Sequence, residues 1–225
     1  RMTGLLRRRA DGEPAAYLLG QREFYGRDFR VTPATLIPRP ETEHLIEAAL
    51  KGCDGPASFA DLGTGSGCIG IAIAKSVPEA RVVLADISAP ALKIARQNTV
   101  INKVSARCMC IQADALKPPE AMLAGFDLIV CNPPYIPKRD IAALDASVRD
   151  FEPRSALDGG DDGLDFYRAV CEKWRAALND GGYLVFECGL GQCGDIMRLG
   201  AAQGLSWLGS ARDTIGVERA AIFQK

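Results

Sequence analysis

Histidine is nearly missing from this chain of 225 residues, with His44 standing alone. That argues against a zinc site, as does the lack of any CxxC pair among Cys53, Cys68, Cys108, Cys110, Cys131, Cys171, Cys188 and Cys193. Several of these cysteines sit inside apolar runs, where a free thiol packs as a small hydrophobe, so the expected compartment is reducing and cytoplasmic. No apolar run is long enough to cross a bilayer, and Arg1-Met2-Thr3 is not a signal peptide. An arginine ahead of a methionine reads as a trimmed start. A dominant charge sign is also missing: the net charge of -1 argues against a broad nucleic-acid surface, though not against a local basic patch. No internal repeat is visible. The hydrophobic content of 48% suffices for one full core, so the length predicts one domain of ordinary size with a fragment of another.

Arg7, Arg8 and Arg9 read as a solvated helix face. Aromatic and polar residues alternate around Gly26, which predicts a hairpin with Glu23-Phe24-Tyr25 opposite Phe29-Arg30-Val31. Ile37-Pro38-Arg39-Pro40 is a rigid elbow, and a helix starts near Pro40 with Leu45, Ile46, Ala49 and Leu50 on one face. His44 on that helix reads as structural or solvent-facing. From Ala57 onward strands and helices alternate: strands at 58–62, 81–85, 107–112, 126–131 and 183–187, helices at 68–76, 89–101, 165–178 and 195–202. Two last runs, 205–211 and 220–223, form an antiparallel pair. The expected fold is therefore α/β, a mostly parallel Rossmann-like sheet ending in an antiparallel hairpin, with ligands at the carboxyl ends of the strands.

Gly63-Thr64-Gly65-Ser66-Gly67 joins the first of these strands to a helix, where glycines allow a ligand close to the backbone and the positive helix end. Dinucleotide-binding loops look similar, but the spacing is GxGxG, and no GK[ST] follows to cradle a triphosphate. Asp86 ends the next strand, placed to accept both hydroxyls of a ribose. Asp114 closes the one after, placed to accept from an adenine amine, with Ala115 beside it as pocket wall. The set fits S-adenosylmethionine. A metal is not expected: Asp158 to Gly163 superficially resembles a calcium loop, but Gly160 and Ala169 stand at two ligand positions.

Asn132-Pro133-Pro134-Tyr135 follows the run Phe126 to Cys131. Two prolines fix φ, remove N–H groups and push the preceding residues toward extended geometry, which makes a stiff corner at a strand end. Such a corner suits a planar NH2: the Asn132 side-chain oxygen and the Pro133 carbonyl each accept one N–H, and Tyr135 offers a flat face. With the cofactor, the reaction implied is methyl transfer to a planar nitrogen. Asn132, Pro133 and Tyr135 are then the catalytic set, Asn132 to Tyr135 the substrate contacts, and Asn132 a cofactor contact as well. The loop Ile136 to Leu164 leaves this corner and is expected to form part of a substrate groove, braced by a Glu152–Arg154 ion pair.

In these blocks the chain resembles the PrmC/HemK family of release-factor glutamine methyltransferases. The likeness runs from PAAYLLGQREFYG and TPATLIPRPETE through DLGTGSG, Asp86 and NPPY to FEPRSALDGGDDGLDFYR. It implies a class I methyltransferase sheet acting on the GGQ glutamine of class I peptide-chain release factors. It also implies cofactor contacts at Gly63 to Gly67, Asp86, Ala115 and Asn132; the lack of apolar runs and the near-neutral charge already speak for no membrane and no direct nucleic-acid contact. By this resemblance residues 1–20 are a remnant of a helical N-terminal domain that engages the release factor, 21–40 a hairpin linker and 41–225 the methyltransferase domain. Alternatives left open are a ribosomal-protein glutamine, an adenine or guanine amino group in DNA or RNA, and a nucleotide-binding protein that uses the glycine loop alone.

Overall fold

The computed structural model describes residues 2–51 and 58–225, so Cys53 lies outside the described residues. Helices α1 (Met2–Ala10) and α2 (Ala15–Leu19) lead into an antiparallel hairpin of β1 (Gln21–Phe24) and β2 (Arg27–Arg30). The expected hairpin is present, but in a different register. Phe24 pairs with Arg27, so Tyr25 and Gly26 are the turn, with φ of 51° and 69°. Two-residue loops with positive φ at both positions match strand twist, which outweighs the strand propensity of an aromatic side chain. The Tyr25 N–H also bonds the Glu43 carboxylate at 2.8 Å, fixing the turn on the first residue of α3 (Glu43–Lys51). Beyond the hairpin, the elbow ends in a tight helical turn over Pro40–Thr42.

The sheet contains β3 (Ser58–Leu62), β4 (Arg81–Asp86), β5 (Cys108–Gln112), β6 (Phe126–Cys131), β7 (Leu178–Glu187), β8 (Ser206–Arg212) and β9 (Glu218–Gln224). Its order is β5-β4-β3-β6-β7-β9-β8. The strands from β5 across to β7 are parallel, and β9 runs antiparallel between β7 and β8. The chain winds outward from β3 to β5 and then returns to lay β6 on the other side of β3. That reversal opens a crevice at the carboxyl ends of β3 and β6, where ligands of such sheets bind.

Strand alternation divides the core in two. On one face α3, α4 (Cys68–Ser76) and α5 (Ala89–Ile101) press Leu45, Ile46, Ile71, Ile73 and Ala95 against Phe59, Leu84, Leu128, Val130 and Val185. The short α6 (Ala146–Arg149) lies in the connection after β6; α7 (Asp165–Ala169) and α8 (Cys193–Ala202) cover the other face. There Tyr167, Trp174 and Ile196 meet Leu62, Ile129, Leu184, Phe186 and Phe223. The helix expected over 165–178 is interrupted: α7 opens into a wider turn over Val170–Trp174, with i→i+5 bonding, and closes through a tight one over Arg175–Ala177. The following strand also starts early, at Leu178, because the polar residues Asn179 to Gly182 sit in a register irregularity opposite β6. No helix among the described residues is long and apolar enough to cross a membrane.

Candidate active site

The carboxyl ends of β3, β4 and β6 converge on a cavity of about 420 Å³. Its walls include Gly63, Thr64, Gly65 and Ser66, then Asp86, then Asp114 and Ala115, and finally Asn132 and Pro134. Gly67, Pro133 and Tyr135 do not line it. Gly63 sits at φ +72°, in the left-handed region that L side chains rarely adopt, beside the Asn132 carbonyl at the neighbouring strand end. At Gly67 (φ +83°) a Cβ would press on the Ala95 Cβ at 3.3 Å, so this glycine lets α4 approach α5.

The glycine loop hangs on a buried acid. Asp61 accepts from the Thr64 hydroxyl at 2.6 Å and from the Gly70 N–H at 2.9 Å. Burial nevertheless pushes its carboxyl up to about 6. Asp86 closes the next wall: Oδ2 accepts the Gly65 N–H and Oδ1 the Ser88 N–H, each at 2.8 Å. Burial raises this pKa too, against the pull of those N–H groups. Each Asp86 oxygen keeps a further lone pair. Asp114 bonds the Leu116 N–H at 2.9 Å, and Lys117 lies 3.7 Å from its other oxygen. The turn behind it is pinned from α7's extension, where the Trp174 indole donates to the Ala115 carbonyl at 3.1 Å and Lys173 to that of Leu116 at 2.7 Å.

At the corner, Asn132 Nδ2 donates to Thr42 Oγ1 at 3.4 Å, so its nitrogen faces the elbow. Tyr135 turns toward the end of β7: its ring closes on Gly189, its carbonyl accepts from Gln192 at 3.0 Å, and burial raises its hydroxyl to about 12. The segment 136–164 folds back onto the corner through Ile136 N–H to Leu157 at 3.0 Å and Gly159 N–H to Ile136 at 2.9 Å. Pro153, Ala156, Asp158 and Gly160 from this segment line the cavity. The expected Glu152–Arg154 ion pair is not formed. Glu152 is buried and pairs with Arg39 of the elbow, while also accepting the Ile37 N–H at 3.0 Å; Arg154 lies 3.5 Å from Asp158. A buried carboxylate takes the donors enclosed with it, and Arg154 is too exposed to serve.

Several participants escaped the sequence reading. Pro38, Arg39 and Thr42 line the cavity from the elbow, and Phe166 lines it from α7. The buried Asn98 on α5 holds the hairpin and the glycine loop together, bonding both backbone groups of Arg30 and the Ser66 carbonyl at 2.7 Å. Glu187, buried at the end of β7, is a carboxylate closing the apolar run Tyr183 to Phe186. That position was the available signal, the same one that singled out Asp86.

A family profile for the methyltransferase small domain matches residues 42–149. The release factor glutamine methyltransferase of Geobacter sulfurreducens is 44% identical over 216 residues, spanning 96% of this chain and 75% of that protein. The chain belongs to the release factor glutamine methyltransferase family. Its counterpart in Nitratidesulfovibrio vulgaris is 42% identical over 219 residues, or 96% of this chain and 74% of that one. Among solved structures, a methyltransferase from Pyrococcus furiosus superposes with a TM-score of 0.64 at 18% identity, covering 99% of this chain and 98% of that one, a likeness that speaks for the fold alone. The chain is thus an enzyme of the methyltransferase class, and family and fold imply S-adenosylmethionine as methyl donor.

Proposed function

We propose that this enzyme moves a methyl group from S-adenosylmethionine to the side-chain nitrogen, N5, of the GGQ glutamine in class I peptide-chain release factors. The observation that carries the reading is that Asn132 and the glycine loop, at neighbouring strand ends, line one cavity. An amide-holding group and a donor-holding loop therefore share one space.

The residues present fit the cofactor. Gly63 and Gly65 bring bare backbone to the cavity wall, Asp86 keeps lone pairs for two ribose hydroxyls, and Asp114 and Ala115 line the wall beyond. When bound, the cofactor supplies a methyl group made electrophilic by a sulfonium. The chain's own residues supply position. An amide nitrogen is a weak nucleophile because its lone pair is delocalised, so the Asn132 oxygen and a main-chain carbonyl of the corner hold the NH2 in its plane and leave its π face free. Pro133 was expected to offer that carbonyl, and Pro134 is the residue that lines the cavity. Fixed acceptors also stabilise positive charge developing on nitrogen, and positioning of this kind lowers barriers by several kcal/mol. No imidazole base is needed, since an N-alkylated amide cation gives its proton to water. Residues 41–225 form the methyltransferase domain on this reading, and the linker of 21–40 adds Pro38 and Arg39 to its cavity.

The test is mass spectrometry of a class I release factor incubated with the chain and the methyl donor. One added methyl on the GGQ peptide is expected. An unmodified glutamine, alongside methyl label on a ribosomal protein or nucleic acid, overturns the reading.

A further inference from the structure

Methyl transfer as described leaves one buried carboxylate without a task. Glu187 is 5% exposed, and its Oε2 has no hydrogen-bond partner. Alternation along β7 tells which way it points. Leu184 and Phe186 face α7 and α8, and Val185 faces the layer of α3 to α5, so Glu187 falls on that side. In β6 the same rule sends Leu128 and Val130, and hence Asn132, to that side. Cys131 lies opposite Phe186 in the parallel register, which makes Asn132 and Glu187 the next neighbours across the strands. Thr42, 2% exposed, closes the third side, where its hydroxyl accepts from Asn132 Nδ2 and both groups also face the Glu187 carboxylate.

A carboxylate only accepts hydrogen bonds, and an amide has a donating end and an accepting end. An acceptor set behind Asn132 therefore fixes which end goes inward. We infer that Glu187 is a positioning residue that, together with the Thr42 hydroxyl, holds the Asn132 NH2 inward and so presents Oδ1 to the NH2 of the incoming carboxamide. The inference rests on the methyl-transfer reading. Without this acceptor the Asn132 amide is free to flip, and its NH2 then meets the substrate NH2, donor against donor. Specificity for a primary carboxamide would thus be set one residue behind the residue that touches it.

The charged and titratable surroundings make this dependent on pH. Burial pushes the Glu187 carboxyl up to about 7; Thr42, Asn132 and Arg219 of β9 pull it down, and Glu41 beside the elbow pushes it up. Arg219 is itself engaged by Asp213 at 2.8 Å, and the Tyr135 hydroxyl stays neutral up to about 12. The ionised form is the pure acceptor, so the inward hold on Asn132 strengthens as pH rises through about 7.

Two measurements test this on the full chain. With release factor and methyl donor, Glu187→Gln is expected to lower kcat by about tenfold or more, leave the donor Kd within about threefold, and erase the rise of kcat through neutral pH. Thr42→Val is expected to lower kcat in the same way, and Thr42→Ser to restore it. Retained kcat in Glu187→Gln, or equal losses in kcat and donor affinity, overturns the inference and leaves the methyl-transfer reading standing. The second measurement needs no acceptor protein: the 15N-labelled side-chain NH2 of Asn132 should titrate with a midpoint near 7 in the parent chain and not in Glu187→Gln. An Asn132 signal that does not move with pH overturns the role even if no release factor is ever labelled.

Discussion

Asp86 and Glu187 both close parallel strands of one sheet, β4 and β7, and they are held in opposite ways. Asp86 has each oxygen on a backbone N–H at 2.8 Å, from Gly65 and Ser88. Around Glu187 stand the side chains of Thr42, Asn132 and Arg219, and one of its oxygens has no partner. Backbone donors do not rotate away, so the β4 end is fixed before any ligand arrives. The β6–β7 end is set by side-chain rotamers and, on the proposed reading, is the end that receives a partner's group. On the proposed reading, rigid holding of a cofactor and adjustable holding of an acceptor are built from the same kind of side chain, a carboxylate, placed in different surroundings.

Truncating the acceptor end should have the largest effect. Asn132→Ala is expected to leave donor affinity within about tenfold and to cut turnover by about three orders of magnitude, the pattern of a lost transition-state contact. Steady-state kinetics beside calorimetry checks it, and parallel losses in both would make Asn132 a hinge and erase the contrast. At the fixed end the effect is smaller and of another kind. Asp86→Ala should weaken donor binding by about 1.5–3 kcal/mol, as for a lost charge-assisted hydrogen bond, with kcat at saturating donor changed little. An unchanged donor Kd would remove Asp86 from the ribose role.

The last effect acts on stability rather than on turnover or donor binding, and concerns Asp61, which shapes the fixed end from beneath. Its folded pKa, about 6, lies above the ordinary 3.8. The folded state therefore binds the proton more tightly, and the stability linked to Asp61 is fully present below pH 4 and is lost as pH rises through 6. Between those limits it amounts to about 3 kcal/mol, on the linkage of proton binding to unfolding. Denaturant unfolding at several pH values should show a flatter slope over this interval for Asp61→Asn. Equal slopes would mean the loop does not lean on that carboxylate.

Features that arise within a few residues were legible in advance, and those that join distant segments were not. The bounds of α4 and α5 follow from Gly67 and from Ser88, whose side chain accepts the Ala91 N–H at 3.2 Å; both signals are local. The Asn132 corner is likewise local, since its prolines act on their own neighbours. Glu152 shows the limit. Arg154 is two positions away in the chain, yet the partner is Arg39, 113 residues away, because the fold buries the elbow against segment 136–164. The break in the expected 165–178 helix has the same origin, as Trp174 is drawn to Ala115, 59 residues earlier. The hairpin register was missed for a different reason: Tyr25 suits a strand by type, but its φ of 51° belongs to a turn.

Trp174 also gives the molecule an optical property. The chain has two tryptophans, and Trp207 sits edge-on to Phe223 at 5.1 Å, in the region of β8 and β9. Trp174 is 1% exposed, and its indole N–H is bonded to the carbonyl of Ala115, a residue of the cavity wall. Indole emission responds to the polarity and bonding around that N–H. The protein therefore carries an unlabelled fluorophore wired to the Ala115 wall of its cavity, and replacing Trp207 with Phe would leave a single-wavelength gauge of filling and emptying.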